Sequence, residues 1–163
     1  MNRSEKYKSI RDRATQKLTW LKFVDLQKGQ FNNLTENYPF PLPALLIEFS
    51  DFTFSNESEH AQKGDGSISV YLYVGSLSDT FKGSEREDAT LSILDKFDDL
   101  FQAFEGFSVD DMKPLNRIRE YKPVYGKKYI MFKAEFTTLI DSKLNVNVQK
   151  VKPEPDIAPK FKF

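Results

Sequence analysis

Apolar residues recur along this chain with two different periods, and the changes of period divide it into elements. Tyr7, Ile10, Ala14 and Leu18 follow i, i+3, i+7, i+11, one face of a helix, so residues 4–17 are expected to be helical. From Leu18 to Leu26 the pattern turns β-rich, with Trp20, Val24 and Leu26 sharing parity, and Gln27 to Gln30 is a turn signal. Residues 30–43 read as a loop, because Pro39, Pro41 and Pro43 favour an extended polyproline-type run and forbid helix. Ala44 to Phe49 is a nearly unbroken apolar run of strand length that continues to Phe54. Residues 55–66 are polar, end in Gly64-Asp-Gly66, and are expected to form a long hairpin connection. Ser67 to Val74 alternates cleanly: Ile68, Val70, Leu72 and Val74 make one face, and Ser67, Ser69, Tyr71 and Tyr73 the other.

Ser84-Glu-Arg-Glu87 has the pattern of a capping box. Ile93, Leu94, Phe97, Leu100, Phe101 and Phe104 follow it at i, i+1, i+4, i+7, i+8, i+11, a core-facing stripe that predicts a helix over 85–105 with Gly106 as its stop. Residues 114–124, bracketed by Pro114 and Pro123, read as an edge strand. Tyr125 to Lys128 reads as a turn and Tyr129 to Ile140 as a long strand, with Ile130, Phe132, Ala134, Phe136 and Ile140 facing one way. The expected order is α-β-β-β-α-β-β. It makes an α+β fold: an antiparallel or mixed sheet of four to five strands, with two helices packed on one face. Residues 1–142 form the domain and 143–163 an extended C-terminal arm.

Composition then narrows the chemistry. Without Cys, the 163-residue chain has no disulfide framework, thiol nucleophile, Cys-ligated zinc or iron–sulfur cluster. One His excludes multi-His metal sites and leaves at most one His general base, so no metal or cofactor is expected. No apolar run approaches the roughly 18 residues of a membrane span, and Met1 to Lys6 lacks the apolar stretch of a signal peptide. A soluble intracellular protein is expected. The 24 Lys+Arg balance 24 Asp+Glu, and zero net charge argues against a general nucleic-acid binder. The balance hides a segregation. Residues 1–17 hold Arg3, Lys6, Lys8, Arg11, Arg13 and Lys17 against Glu5 and Asp12. Residues 84–106 hold Glu85, Glu87, Asp88, Asp95, Asp98, Asp99 and Glu105 against Arg86 and Lys96.

Candidate chemistry is sparse. His60 lies in the polar stretch Asn56 to Gln62 and reads as a solvated loop histidine rather than a ligand working with Glu57 and Glu59. Asp95, Asp98 and Asp99 share one side of the predicted helix; a carboxylate cluster for a divalent ion is one reading, but an acidic outer face is the ordinary pattern of a solvated helix and is favoured. A third reading has them meet bases on a neighbouring subunit, with Arg11 and Arg13 of the basic helix as candidate interface residues. Asp110-Asp111 reads as a turn or cap. Gly64-Asp-Gly66 lacks the sequel of a phosphate loop and reads as a hairpin turn. The sheet face away from the helices would carry Tyr71, Tyr73, Met131, Lys133 and Glu135, a partly aromatic candidate interface. Its strands lack the aromatic pattern and flanking bases of an RNA-stacking sheet. The arm has apolar handles in Leu144, Val146, Val148 and Ile157. It is either a frayed end or a strand added to a neighbour's sheet.

The element order resembles phage tail proteins. So do the strings Trp20-Leu-Lys-Phe-Val-Asp-Leu-Gln-Lys-Gly-Gln30, Pro41-Leu-Pro-Ala-Leu-Leu-Ile-Glu-Phe49, Gly66-Ser-Ile-Ser-Val-Tyr-Leu-Tyr-Val74 and the late strand Tyr129 to Ile140. The arrangement is similar to the tail terminator and tail completion families, in the form carried by Bacteroidetes-type prophages. The similarity spans residues 5–142 and leaves the arm outside. It implies a structural protein, not an enzyme, whose copies form a ring, six in that family, on the end of the tail tube. The ring stops tube growth and presents the surface that meets the head connector. The implied partners are further copies of the chain, tube proteins and head-connector proteins. The implied location is the cytoplasm during assembly and then the virion tail. Charge segregation fits a head-to-tail ring, because a heterologous interface joins two different patches. The alternative, from another class, is a non-catalytic binding or adaptor module that uses the aromatic sheet face.

Overall fold

The computed structural model describes residues 2–30, 40–76, 80–126 and 128–143. Among the described residues, two helices and six strands run in the order α1 (Arg3–Lys17), β1 (Phe23–Leu26), β2 (Ala44–Ser58), β3 (Ala61–Gly75), α2 (Glu87–Phe104), β4 (Asn116–Glu120), β5 (Val124–Tyr125) and β6 (Tyr129–Lys143). The sheet order is β1-β2-β3-β6-β4, with β5 pairing β6 beside β4. Only β1–β2 is parallel; every other pair is antiparallel. The fold is α+β with a mixed sheet, as the periodicity predicts. Lys143, the first residue of the expected arm, ends β6; the rest of the arm, with Val146 and Val148, lies outside the described residues, as does most of the loop before Phe40.

Strand alternation decides which side each residue takes. Leu45, Ile47, Ile68, Val70, Leu72, Val74, Ile130, Phe132, Ala134 and Phe136 form one core with Ile10 and Ala14 of α1, Leu18 at its C-terminal cap, and Leu100, Ala103 and Phe104 of α2. Both helices therefore lie on the same face, and Phe97 on Phe132 and Phe104 on Phe136 bind α2 to β6. The opposite alternates, Ala44, Leu46 and Tyr73, form a second, smaller cluster with Phe23, Phe40, Leu42 and Tyr129. Phe40 stacks on Phe23 at 4.5 Å, so the proline-rich stretch covers part of the face that no helix covers.

Four local expectations are corrected. The stretch 55–66 is not a long connection. It continues both strands in register to Ser58↔Ala61, across a two-residue turn at Glu59 and His60. Burial falls off along β2 from fully buried at Ala44–Ile47 to exposed beyond Thr53. This end of the hairpin projects past the helix layer, so neither face needs apolar residues and the alternation that marks a strand disappears. Gly64 and Gly66 accordingly sit inside β3, opposite Phe54 and Phe52, and not in a turn. A Cβ on Gly66 would lie 2.5 Å from the Phe52 ring, and one on Gly64 2.6 Å from the Phe54 ring: the glycines make room for the rings.

The predicted capping box at Ser84 does not cap α2. The Glu87 amide closes a turn onto the Ser84 carbonyl, the Glu87 carboxylate accepts from the Gly83 amide at 2.7 Å, and the helix starts at Glu87. A capping box exists instead on α1, where the Asn2 side chain accepts from the Glu5 amide and the Glu5 carboxylate from the Asn2 amide. Leu94 is not part of the inner stripe of α2. It is 48% exposed, because Ile93, Phe97, Leu100 and Phe104 set the rotation of the helix over the sheet and turn it outward.

Candidate functional site

The helix-free face, expected to be an open aromatic surface, is a closed network of side chains. Tyr73 is 4% exposed, covered in part by the tilted ring of Tyr129 at 5.5 Å, so it makes no surface contact. Burial raises its phenol pKa above the ordinary value. Tyr71 and Met131 are half-buried. The register Leu46↔Tyr71↔Lys133 sets Tyr71 beside Lys133, whose ammonium lies 5.0 Å from the Tyr71 ring centre and 4.5 Å from that of Tyr121. Carboxylates close both ends. The Tyr71 hydroxyl donates to Glu48, and Ser67 and Tyr121 donate to the two oxygens of Glu135, each at 2.7 Å. Burial and the bond to Glu48 push the Tyr71 phenol well above its usual range. The hydroxyls of Ser67 and Tyr121 hold Glu135 below the usual carboxylate value. The surface presents fixed charges and ring faces, and its two carboxylates are already engaged by hydroxyls.

The two charged helices are partly consumed inside the subunit. Arg13 donates to the Ala103 carbonyl at 2.8 Å and lies 5.2 Å from the Phe107 ring, so it caps the C-terminal turn of α2 and is no free surface base. Arg11 pairs with its neighbour Asp12. Asp99 accepts from the Trp20 indole at 3.3 Å. Asp95 and Asp98 remain exposed, next to the exposed Leu91 and Leu94. Phe81, just before α2, is also exposed, as are Ile118, Val124 and Tyr125 on the β4–β5 edge. His60 stands exposed at the hairpin turn, as a solvated histidine should. Among the described residues no group of three or more His, Asp or Glu is arranged to hold a metal ion.

A cleft of about 560 Å³ lies where the long hairpin passes the start of α1. A bulge between Phe49 and Phe52 shifts the register and returns Phe52 and Phe54 to the helix side. Their rings, 6.5 Å apart, form a floor with Phe49 and Ile140. Asp110, Asp111, Asp141, Arg3 and Lys6 form the rim. Asp110 adopts φ 32°, a left-handed turn conformation closed by the Met112 amide bonding to the Val109 carbonyl. Lys6 is 3% exposed and its Nζ lies 3.1 Å from Asp111 Oδ2, while Lys113 pairs with Asp141 at 3.5 Å. Sequence reading missed this cleft. Its one signal was the Phe49, Phe52, Phe54 series opposite two glycines, and the bulge that aligns the three rings leaves no mark in the periodicity.

The chain matches no model of a known protein family and no curated protein.

Proposed function

We propose that the chain is a structural protein of a phage or prophage tail, whose copies associate into a ring that caps the tail tube or joins tail to head. The tail assignment rests on the resemblance of element order and strand strings. The self-association is carried by one observation: α2 has a second apolar stripe that its own sheet does not use. Leu91 and Leu94 face outward among Asp88, Asp95 and Asp98, with the exposed Phe81 close by in sequence. The β4–β5 edge offers the complement, with Ile118, Val124 and Tyr125 exposed beside Arg119 and Lys122, while Arg117 is paired with Glu120. An acidic apolar patch and a basic apolar patch on one subunit are what a closed head-to-tail interface requires. Native mass spectrometry and light scattering over a wide concentration range test it. A closed oligomer is expected at low ionic strength, lost in Leu94→Glu and in Asp95→Lys/Asp98→Lys. A chain that stays monomeric under all these conditions, alone and with tube-forming proteins encoded beside it, sinks the reading.

A non-catalytic adaptor is the second reading, favoured by the preset Tyr71–Lys133–Tyr121 network on the helix-free face. On that reading Lys133→Glu abolishes partner capture and leaves the oligomeric state untouched. On the first, Lys133→Glu leaves assembly intact and the α2 variants abolish it.

A further inference from the structure

We propose that the cleft beneath the start of α1 is the docking site for the chain's own segment Lys160-Phe-Lys-Phe163, folded back in cis. Three observations carry it. The cleft has an aromatic floor left partly open: Phe54 is 44% exposed on a shelf with Phe49, Phe52 and Ile140, and a single chain rarely leaves such a concave apolar surface without an occupant. Of the three rim carboxylates, Asp111 is paired with Lys6 and Asp141 with Lys113, while Asp110 has no ion pair among the described residues and is open to an incoming cation. The tether starts at the cleft itself, since Ser142 lines it and β6 ends at Lys143.

The sequence beyond Lys143 matches this surface. It carries Lys150, Lys152, Lys160 and Lys162 against Glu154 and Asp156, and it ends in alternating Lys and Phe. In an extended segment, alternate residues point to opposite sides. Phe161 and Phe163 then face the phenylalanine floor together, while Lys160 and Lys162 face away from it towards the rim, where Asp110 is the carboxylate without an ion pair among the described residues. Residues 144–159 supply 16 residues of tether. At about 3.3 Å each that is on the order of 50 Å, ample for a return to a site beside the tether's own origin. A tether of this length sets an effective concentration near the millimolar range, so a weak contact suffices to fill the cleft.

The absence of Cys makes a clean test possible. In the full chain carrying Phe54→Cys and Phe161→Cys, copper-phenanthroline oxidation is expected to give an intramolecular disulfide. It should form about tenfold faster than in the control pair Thr53→Cys and Phe161→Cys. Thr53 is one residue away on the opposite sheet face, at nearly the same tether distance. Equal rates overturn the proposal. So does a disulfide-linked dimer whose yield rises with concentration, which would put the segment on a second copy. A measurement without cysteines guards against altered folding. Trypsin should cut after Lys160 about tenfold faster in Phe54→Ala than in the unaltered chain, and an unchanged rate overturns the proposal.

Discussion

At the residue scale, the ion pair of Lys6 and Asp111 shows how unequal two partners can be. Lys6 is almost wholly removed from water, whereas the Asp111 side chain keeps a quarter of its exposure. Asp111→Ala leaves an ammonium buried and is expected to destabilise by about 3 kcal/mol. Lys6→Met keeps the packed stem and leaves a carboxylate that still reaches solvent, so about 1 kcal/mol or less is expected. Urea unfolding of both variants checks the order. Burial would raise the Asp111 pKa, but its hydrogen bonds, that from Lys6 among them, prevail and lower it. Glu135 is lowered chiefly by Ser67 and then by Tyr121. A lowered carboxylate stabilises the fold above its unfolded pKa, near about 4, and that contribution drains away as pH falls through the folded value. Stability should therefore fall less steeply below about pH 5 in Glu135→Gln than in the unaltered chain, as denaturant midpoints against pH would report.

At the element scale, α2 and the β2–β3 hairpin make separate predictions. Leu100 is fully buried and Leu94 is half-exposed on the same helix. Leu100→Ala is expected to cost about 3 kcal/mol and Leu94→Ala less than about 0.5 kcal/mol. Equal costs in a thermal or urea melt would contradict the rotation described for α2. In β3 the two glycines differ in what presses on them. A methyl at Gly66 meets the Phe52 ring and, at 2.7 Å, the Asp51 carbonyl, which is backbone and yields little. The nearest atoms a methyl at Gly64 meets belong to the ring of Phe54, which is exposed enough to swing away. Gly66→Ala should cost about 2 kcal/mol and Gly64→Ala clearly less, by the same melts.

At the scale of the whole molecule, the zero net charge is the sum of separated patches. Part of the segregation is internal: Arg13 on the end of α2 ties the basic helix to the acidic one, and the Trp20 indole, just after α1, engages Asp99. What remains outward is an acidic patch around Leu91 and Leu94 and, at the β4–β5 edge, the bases Arg119 and Lys122, Arg117 being paired with Glu120. Attraction between such patches is screened within about 10 Å at 0.1 M salt. Association should therefore weaken as salt rises, and solubility should be lowest near the isoelectric point of 6.6. Light scattering against salt and pH at fixed concentration checks both; association that strengthens with salt would point to apolar contact alone.

Sequence by itself determined the parts in which one residue's environment follows from its neighbours along the chain. The even-numbered face of β3, the inner stripe of α2 and the helix-stopping Gly106, with φ 72°, were all legible, because leaving water imposes a period of 2 or 3.6. So was the α+β order. Tertiary structure alone decided the rest. The polar end of the hairpin is a strand because β3 and β6 supply its hydrogen bonds, not because any face is buried. Tyr73 is covered because Phe23, Phe40 and Tyr129 converge on its side of the sheet. Lys6 is buried because Asp111, 105 residues away, lies within reach. Arg13 is spent on a carbonyl 90 residues away. The cleft needs a bulge, two glycines and the start of α1 at one place. Periodicity records which residues avoid water; it does not record which distant segment meets them.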